Sequence, residues 1–101
     1  MSRDSRFHLL FDCDIREAAE WYDRRSIGLG KVFADNVNER ISDVIANPER
    51  FARTPAGDRY VRVKGFPYIV LFDVSDDVIR FIAVLHTARA ENKWRERRTD
   101  L

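Results

Sequence analysis

The feature that most constrains this chain is a change in its hydrophobic period. Between positions 15 and 45 apolar residues recur every three or four places, and from position 60 they recur every second place or run together. The first pattern gives a helix one buried stripe, and the second gives a strand one or two buried faces. Ile15, Ala18, Ala19 and Tyr22 stand at i, i+3, i+4 and i+7, which predicts a helix from about Ile15 to Arg24 or Arg25. Asp14 reads as its N-cap, with Glu17 three residues on as in a capping box. Gly28-Leu29-Gly30 interrupts the pattern, since glycine weakens a helix and permits a sharp turn. Leu29, Phe33, Val37, Ile41, Val44 and Ile45 then predict a second amphipathic helix. It should stop at Asn47, because Pro48 disfavours helical geometry in the residue before it. Two such helices joined by a short connection form an antiparallel hairpin.

Phe7-His8-Leu9-Leu10-Phe11 alternates and predicts a first strand. Tyr60-Val61-Arg62-Val63-Lys64 alternates as well, with Val61 and Val63 on one side and Tyr60, Arg62 and Lys64 on the other. Gly65-Phe66-Pro67 is a turn signal. Tyr68 to Val74 is almost wholly apolar, as a central strand is, and Ser75-Asp76-Asp77 separates it from a third apolar run, Val78 to His86. The order β-α-α-β-β-β predicts an α+β fold, a helical hairpin packed on a twisted, mainly antiparallel sheet.

A chain of 101 residues with no repeat and no linker is expected to form one domain over 1–101, with a basic C-terminal tail from about residue 89. Net charge is +1, so any basic surface must come from uneven placement. Residues 1–58 carry 9 basic and 11 acidic side chains, whereas residues 59–101 carry 9 basic and 6 acidic. A lone cysteine, Cys13, excludes an internal disulfide and a cysteine-based zinc site, and reads as a small buried apolar group. No apolar run approaches the roughly 18 residues that span a bilayer, and no signal-peptide pattern follows the N-terminus. A cytoplasmic location without membrane attachment is the expectation.

Several segments together resemble the RelE/ParE family of toxins from bacterial type II toxin–antitoxin modules, including proteins described as plasmid stabilisation proteins. They are Ala18-Ala19-Glu20-Trp21-Tyr22, Gly28-Leu29-Gly30 leading to Phe33, and Asn47-Pro48-Glu49-Arg50-Phe51. Arg62-Val63-Lys64-Gly65-Phe66-Pro67-Tyr68 and Ala83-Val84-Leu85-His86-Thr87-Ala88-Arg89 follow, with Trp94 and Arg97 behind them. The resemblance spans roughly residues 5–95. It implies one fold with two activities: RelE-like members cleave messenger RNA on the ribosome, whereas ParE-like members are not nucleases and poison DNA gyrase. Both are neutralised by an antitoxin that folds along the toxin surface, giving a hetero-oligomer. The helical hairpin, the Phe-Pro-Tyr turn and the ending Val-Leu-His look more like the ParE branch. In that reading the chain is no enzyme, needs no cofactor and causes growth inhibition by holding gyrase. The alternatives are a ribosome-dependent endoribonuclease and an inactive member that only binds its antitoxin.

Under the endoribonuclease alternative, cleavage needs cations against the phosphorane charge and groups that move protons. His86 and Arg62 are the catalytic candidates, since histidine titrates near neutrality. Arg59, Arg62, Lys64 and Arg89 are the candidates for touching a target or a phosphate. In several nuclease members a tyrosine follows near this point, whereas here Thr87 follows His86, which counts against that activity. Glu49 is a weaker candidate base, and Tyr60 and Tyr68 are read as packing groups rather than base-stacking ones. Trp21 lies off the core stripe of helix one and is the candidate antitoxin contact. The basic side of the sheet is expected to stay free for a macromolecule. Asp35, Glu39 and Asp43 form a like-charged row on helix two, mildly costly to it and suited to a basic partner. His8 and His86 are too isolated to make a metal site, and Gly28-Leu29-Gly30 lacks the strand and the Lys-Ser/Thr of a phosphate loop.

Overall fold

The computed structural model describes residues 3–89 and residue 97. Its elements are β1 (Asp4–Phe7), α1 (Phe11–Arg25), α2 (Leu29–Ala46), a 3-10 turn (Pro48–Arg50), β2 (Arg59–Arg62), β3 (Tyr68–Ser75), β4 (Val78–His86) and a second 3-10 turn (Thr87–Arg89). The sheet order is β1-β4-β3-β2. β2, β3 and β4 form an antiparallel meander, and β1 joins β4 in parallel. The α+β arrangement expected of the sequence is therefore present, with the helical hairpin as the crossover between β1 and the meander.

The helices bury the stripes that the periodicity marks. Phe33, Val37 and Val44 of α2 are buried with Phe11 and Ala18 of α1 against Val61, Val70, Phe72, Ile79, Phe81 and Val84 of the sheet. Ile15, Ala19, Tyr22, Leu29 and Ile41 pack around them, whereas Ile45 stays exposed. At the joint, the Asp23 carboxylate accepts the Gly30 amide at 2.8 Å, satisfying one of the free donors of the new helix. A Cβ on Gly30 would lie 2.3 Å from the Ala19 carbonyl oxygen, so only glycine lets the two helices approach this closely. α2 ends at Ala46 with Asn47 as its cap, as Pro48 requires.

Three expectations are corrected. The first strand ends at Phe7 rather than running from Phe7 to Phe11. The Phe11 amide donates to the His8 carbonyl at 2.9 Å and the Leu10 amide to His8 Nδ1 at 3.0 Å, so the chain turns there. Leu9 stands exposed and α1 begins at Phe11. Asp14 is consequently inside the helix and not its N-cap, a position held by Leu10 with no side-chain bond. The sheet face away from the helices is not open either: Ile69, Leu71, Ile82, Ala83 and Leu85 are buried there, with Tyr60 packed against them. This is why β3 and β4 read as nearly continuous apolar runs. A fourth, smaller difference concerns Cys13, which is half-buried and placed 3.7 Å from a Glu17 carboxylate oxygen rather than sealed in the core. Trp94 lies outside the described residues, as does the tail beyond Arg89 apart from Arg97.

Candidate functional site

β3 begins and β4 ends at the same place, where Tyr68 pairs with His86. α1 passes alongside, and the space between them is a groove of about 620 Å³. Glu17, Trp21 and Tyr22 of α1 form one wall, Tyr68 and Pro67 the floor, and Val84, His86 and Arg89 the other wall. The aromatic rings are mutually fixed. Tyr22 meets Phe66 edge-on at 4.8 Å, Tyr68 meets Phe33 at 5.0 Å, and His86 meets Tyr68 at 5.2 Å. Each such contact adds to the burial of the rings themselves. Burial pushes the Tyr68 phenol above the ordinary tyrosine value, an effect that the nearby Arg89 guanidinium partly offsets. Tyr22 is raised by burial and then by Tyr68.

Trp21 is 42% exposed at the groove rim. Its ring stands perpendicular to Tyr22, with the Arg25 guanidinium 3.9 Å from its centroid. The neighbouring Tyr22 and Arg25 thus hold the partly exposed indole in place. His86 is held by its own backbone: the Ala88 amide donates to Nδ1 at 3.1 Å. That bond uses Nδ1 as an acceptor and fixes how the ring is turned at the end of β4.

The remaining candidates are placed elsewhere. Arg59 points inward, its Nη1 donating to the carbonyls of Glu49 at 3.1 Å and Phe51 at 2.7 Å. It ties down the loop before β2. Glu49 itself pairs with Arg3 at 2.6 Å. Lys64 pairs with Glu39 of α2 at 3.1 Å. Arg62 has an exposed side chain on edge strand β2, while its carbonyl accepts from Arg40 Nε at 2.8 Å. The structure thus brings His86, Arg89 and Trp21 to one groove and leaves Arg59, Arg62 and Lys64 on the far side of β3. The acidic row on α2 is neutralised one residue at a time: Asp35 by Lys31, Glu39 by Lys64 and Asp43 by Arg40. Among the described residues no cluster of His, Cys, Asp or Glu is arranged to hold a metal ion, and no helix is long and apolar enough to cross a membrane.

Tyr22 and Tyr68 are groove residues that the sequence marks only as packing positions, and Glu17 is one that it reads as a capping-box partner. Their grouping depends on how α1 lies along β4, which no local pattern encodes.

The family model for the ParE toxin of the type II toxin–antitoxin system parDE matches residues 6–91. Among solved structures, a chain of a chromosomal ParDE toxin–antitoxin system from P. aeruginosa superposes with a TM-score of 0.74 at 12% sequence identity, covering 84% of this chain and 96% of that one. At that identity the likeness is one of fold: two helices on a four-stranded, mostly antiparallel open sheet. No curated protein matches the sequence. With the family model covering most of its length, the chain belongs to the ParE toxin family of type II toxin–antitoxin systems.

Proposed function

We propose that this toxin acts by binding rather than by catalysis, that its target is DNA gyrase, and that a cognate antitoxin neutralises it by covering the toxin surface. The observation that carries the reading is how the cationic candidates are used. Arg59 serves two backbone carbonyls and Lys64 a helix carboxylate, so neither is aimed at a phosphate. The groove instead presents Trp21, Tyr22 and Tyr68 with His86 and Arg89 at its rim, the mixture of aromatic and cationic groups that dominates protein interfaces. The antitoxin contributes an amphipathic segment that packs on the exposed Trp21 and the apolar rim of α1, forming a hetero-oligomer. Both partners place the protein in the cytoplasm, and retention of a plasmid or chromosomal locus follows from the pairing of poison and antidote.

Relaxed plasmid incubated with gyrase and this protein should remain relaxed, and messenger RNA in a translation reaction should stay intact. Growth should stop when the chain is expressed alone and resume when the antitoxin is co-expressed. Uninhibited supercoiling would sink the gyrase reading, and absent growth arrest would favour a member that only binds antitoxin. One observation favours the ribosomal endoribonuclease as second reading: His86 and Arg89 share a groove with the Tyr68 ring. In that case messenger RNA is cut, and His86→Ala abolishes the cutting. A gyrase binder loses only part of its inhibition with the same substitution, because the other groove contacts remain.

A further inference from the structure

β1 is shorter than the strand beside it. It pairs with β4 only as far as Phe7 opposite Phe81, and one further bond runs from the His8 amide to the Phe81 carbonyl at 2.9 Å. The chain then turns into α1, while β4 continues to His86. Among the described residues no strand therefore lies beside residues 82–86 on the β1 side. Backbone groups in such a place must find a partner or meet water, and an open edge is a template for another strand.

Two side chains occupy that edge. Asp14 Oδ2 accepts the Val84 amide at 3.0 Å, and Arg97 Nη1 reaches the Ile82 carbonyl at 3.4 Å. They are also joined to each other in a two-point pair, Nη2 to Oδ1 at 2.7 Å and Nη1 to Oδ2, and each side chain is only 12% exposed. The guanidinium fork matches the carboxylate and fixes both groups in one geometry. The placement also explains Asp14 within α1: a carboxylate in the first turn faces the positive end of the helix dipole while its oxygens reach the sheet. Together the pair supplies one acceptor and one donor to a backbone segment that has no neighbouring strand among the described residues.

We infer that the Asp14–Arg97 pair is a plug on the open half of the β4 edge, closing it to strand pairing for as long as Arg97 is seated. The acceptor is built into α1, whereas the donor lies 83 residues further along the chain, so a substitution at residue 97 removes the plug and leaves the helix and the sheet intact. Lifting it frees the Ile82 carbonyl and leaves the Asp14 carboxylate without its counter-charge. The freed half-edge adjoins the groove, whose wall includes Val84 and His86. The inference concerns the edge alone and holds whatever the toxin's target is.

The test uses the full chain carrying Arg97→Gln or Arg97→Lys, with hydrogen exchange read at single amides and self-association followed by sedimentation. Arg97→Gln should speed exchange at Val84 by tenfold or more while Val70, in the middle of β3, keeps its rate. The same variant should associate at concentrations where the parent chain is monomeric. Arg97→Lys keeps the charge but loses the fork, so its Val84 rate should fall between the two. Unchanged Val84 exchange, an equal rise at Val70, or an opened Val84 amide with no gain in association overturns the inference. If Arg97→Gln does not fold, Arg97→Lys decides: a Val84 rate equal to the parent's overturns it.

Discussion

Gly30 and Asp23 close the helical hairpin from opposite sides, and their substitutions should fail for different reasons. At Gly30 an added methyl group meets a backbone oxygen, Ala19 O, at 2.3 Å, and neither helix can yield without disturbing the core at Phe33. Gly30→Ala is expected to destabilise the fold by about 2 kcal/mol. Asp23→Ala removes the acceptor of the Gly30 amide and should cost roughly 1 kcal/mol. Gly28→Ala strains a backbone at φ +90° and should cost about 1 kcal/mol, although nothing crowds that position. Urea denaturation of the three variants ranks them. The glycines were legible in the sequence as a break between two periodic stretches, but the close approach at Gly30 was not. Asp14 shows the opposite case. Its sequence neighbourhood satisfies the capping-box pattern, yet the helix starts at Phe11, because a turn at His8 brings the chain in earlier. A local motif could not reveal that the carboxylate is needed 70 residues later, at Val84.

Among the elements, the β3–β4 hairpin and the loop before β2 carry separable expectations. The two residues of the hairpin turn, Asp76 and Asp77, both have positive φ, 52° and 62°. That is the mirror-image turn whose twist suits a hairpin, and glycine favours its second position. Asp77→Gly should therefore stabilise the protein by roughly 0.5 kcal/mol, seen as a rise in Tm. Arg59→Ala removes two bonds to the Glu49 and Phe51 carbonyls and should cost about 1–2 kcal/mol. Because that side chain points inward, toxicity per folded molecule should be unchanged. A selective loss of toxicity at full stability would show instead that Arg59 touches the target. Element boundaries were clearest where the pattern was long: α2, β3 and β4 fall almost where periodicity puts them. β1 departs from its pattern because Phe7, Leu9 and Phe11 alternate by chance, Leu9 being 87% exposed. The second buried face of the sheet was hinted at by the unbroken apolar run of β3, but the basic strand β2 suggested an open surface.

At the scale of the whole molecule, the tyrosines join the core to the groove, and this has a consequence for alkaline stability. Tyr22 and Tyr68 both lie in the aromatic cluster between the hairpin and the sheet, and burial raises both phenols. Raising an acid's pKa on folding means that the native state holds its proton more tightly than the unfolded chain does. Their contribution is thus complete below the ordinary tyrosine value of about 10. It is lost as pH rises from there through the raised native value, since the unfolded chain ionises first. Neutral and mildly acidic pH leave it untouched. Denaturation midpoints should accordingly fall as pH climbs above about 10, and replacing Tyr22 and Tyr68 by phenylalanine together should flatten that fall. The rings and their edge-on contacts survive the replacement, so stability at neutral pH should change little. A double variant with the parent's full alkaline slope would mean that other groups carry it. Tyr68 also floors the groove beside His86, so the same variant separates two uses of one side chain. If target binding depends on the ring surface alone, the phenylalanine form keeps its toxicity. If it depends on the hydroxyl, toxicity falls while the midpoint at neutral pH stays where it was.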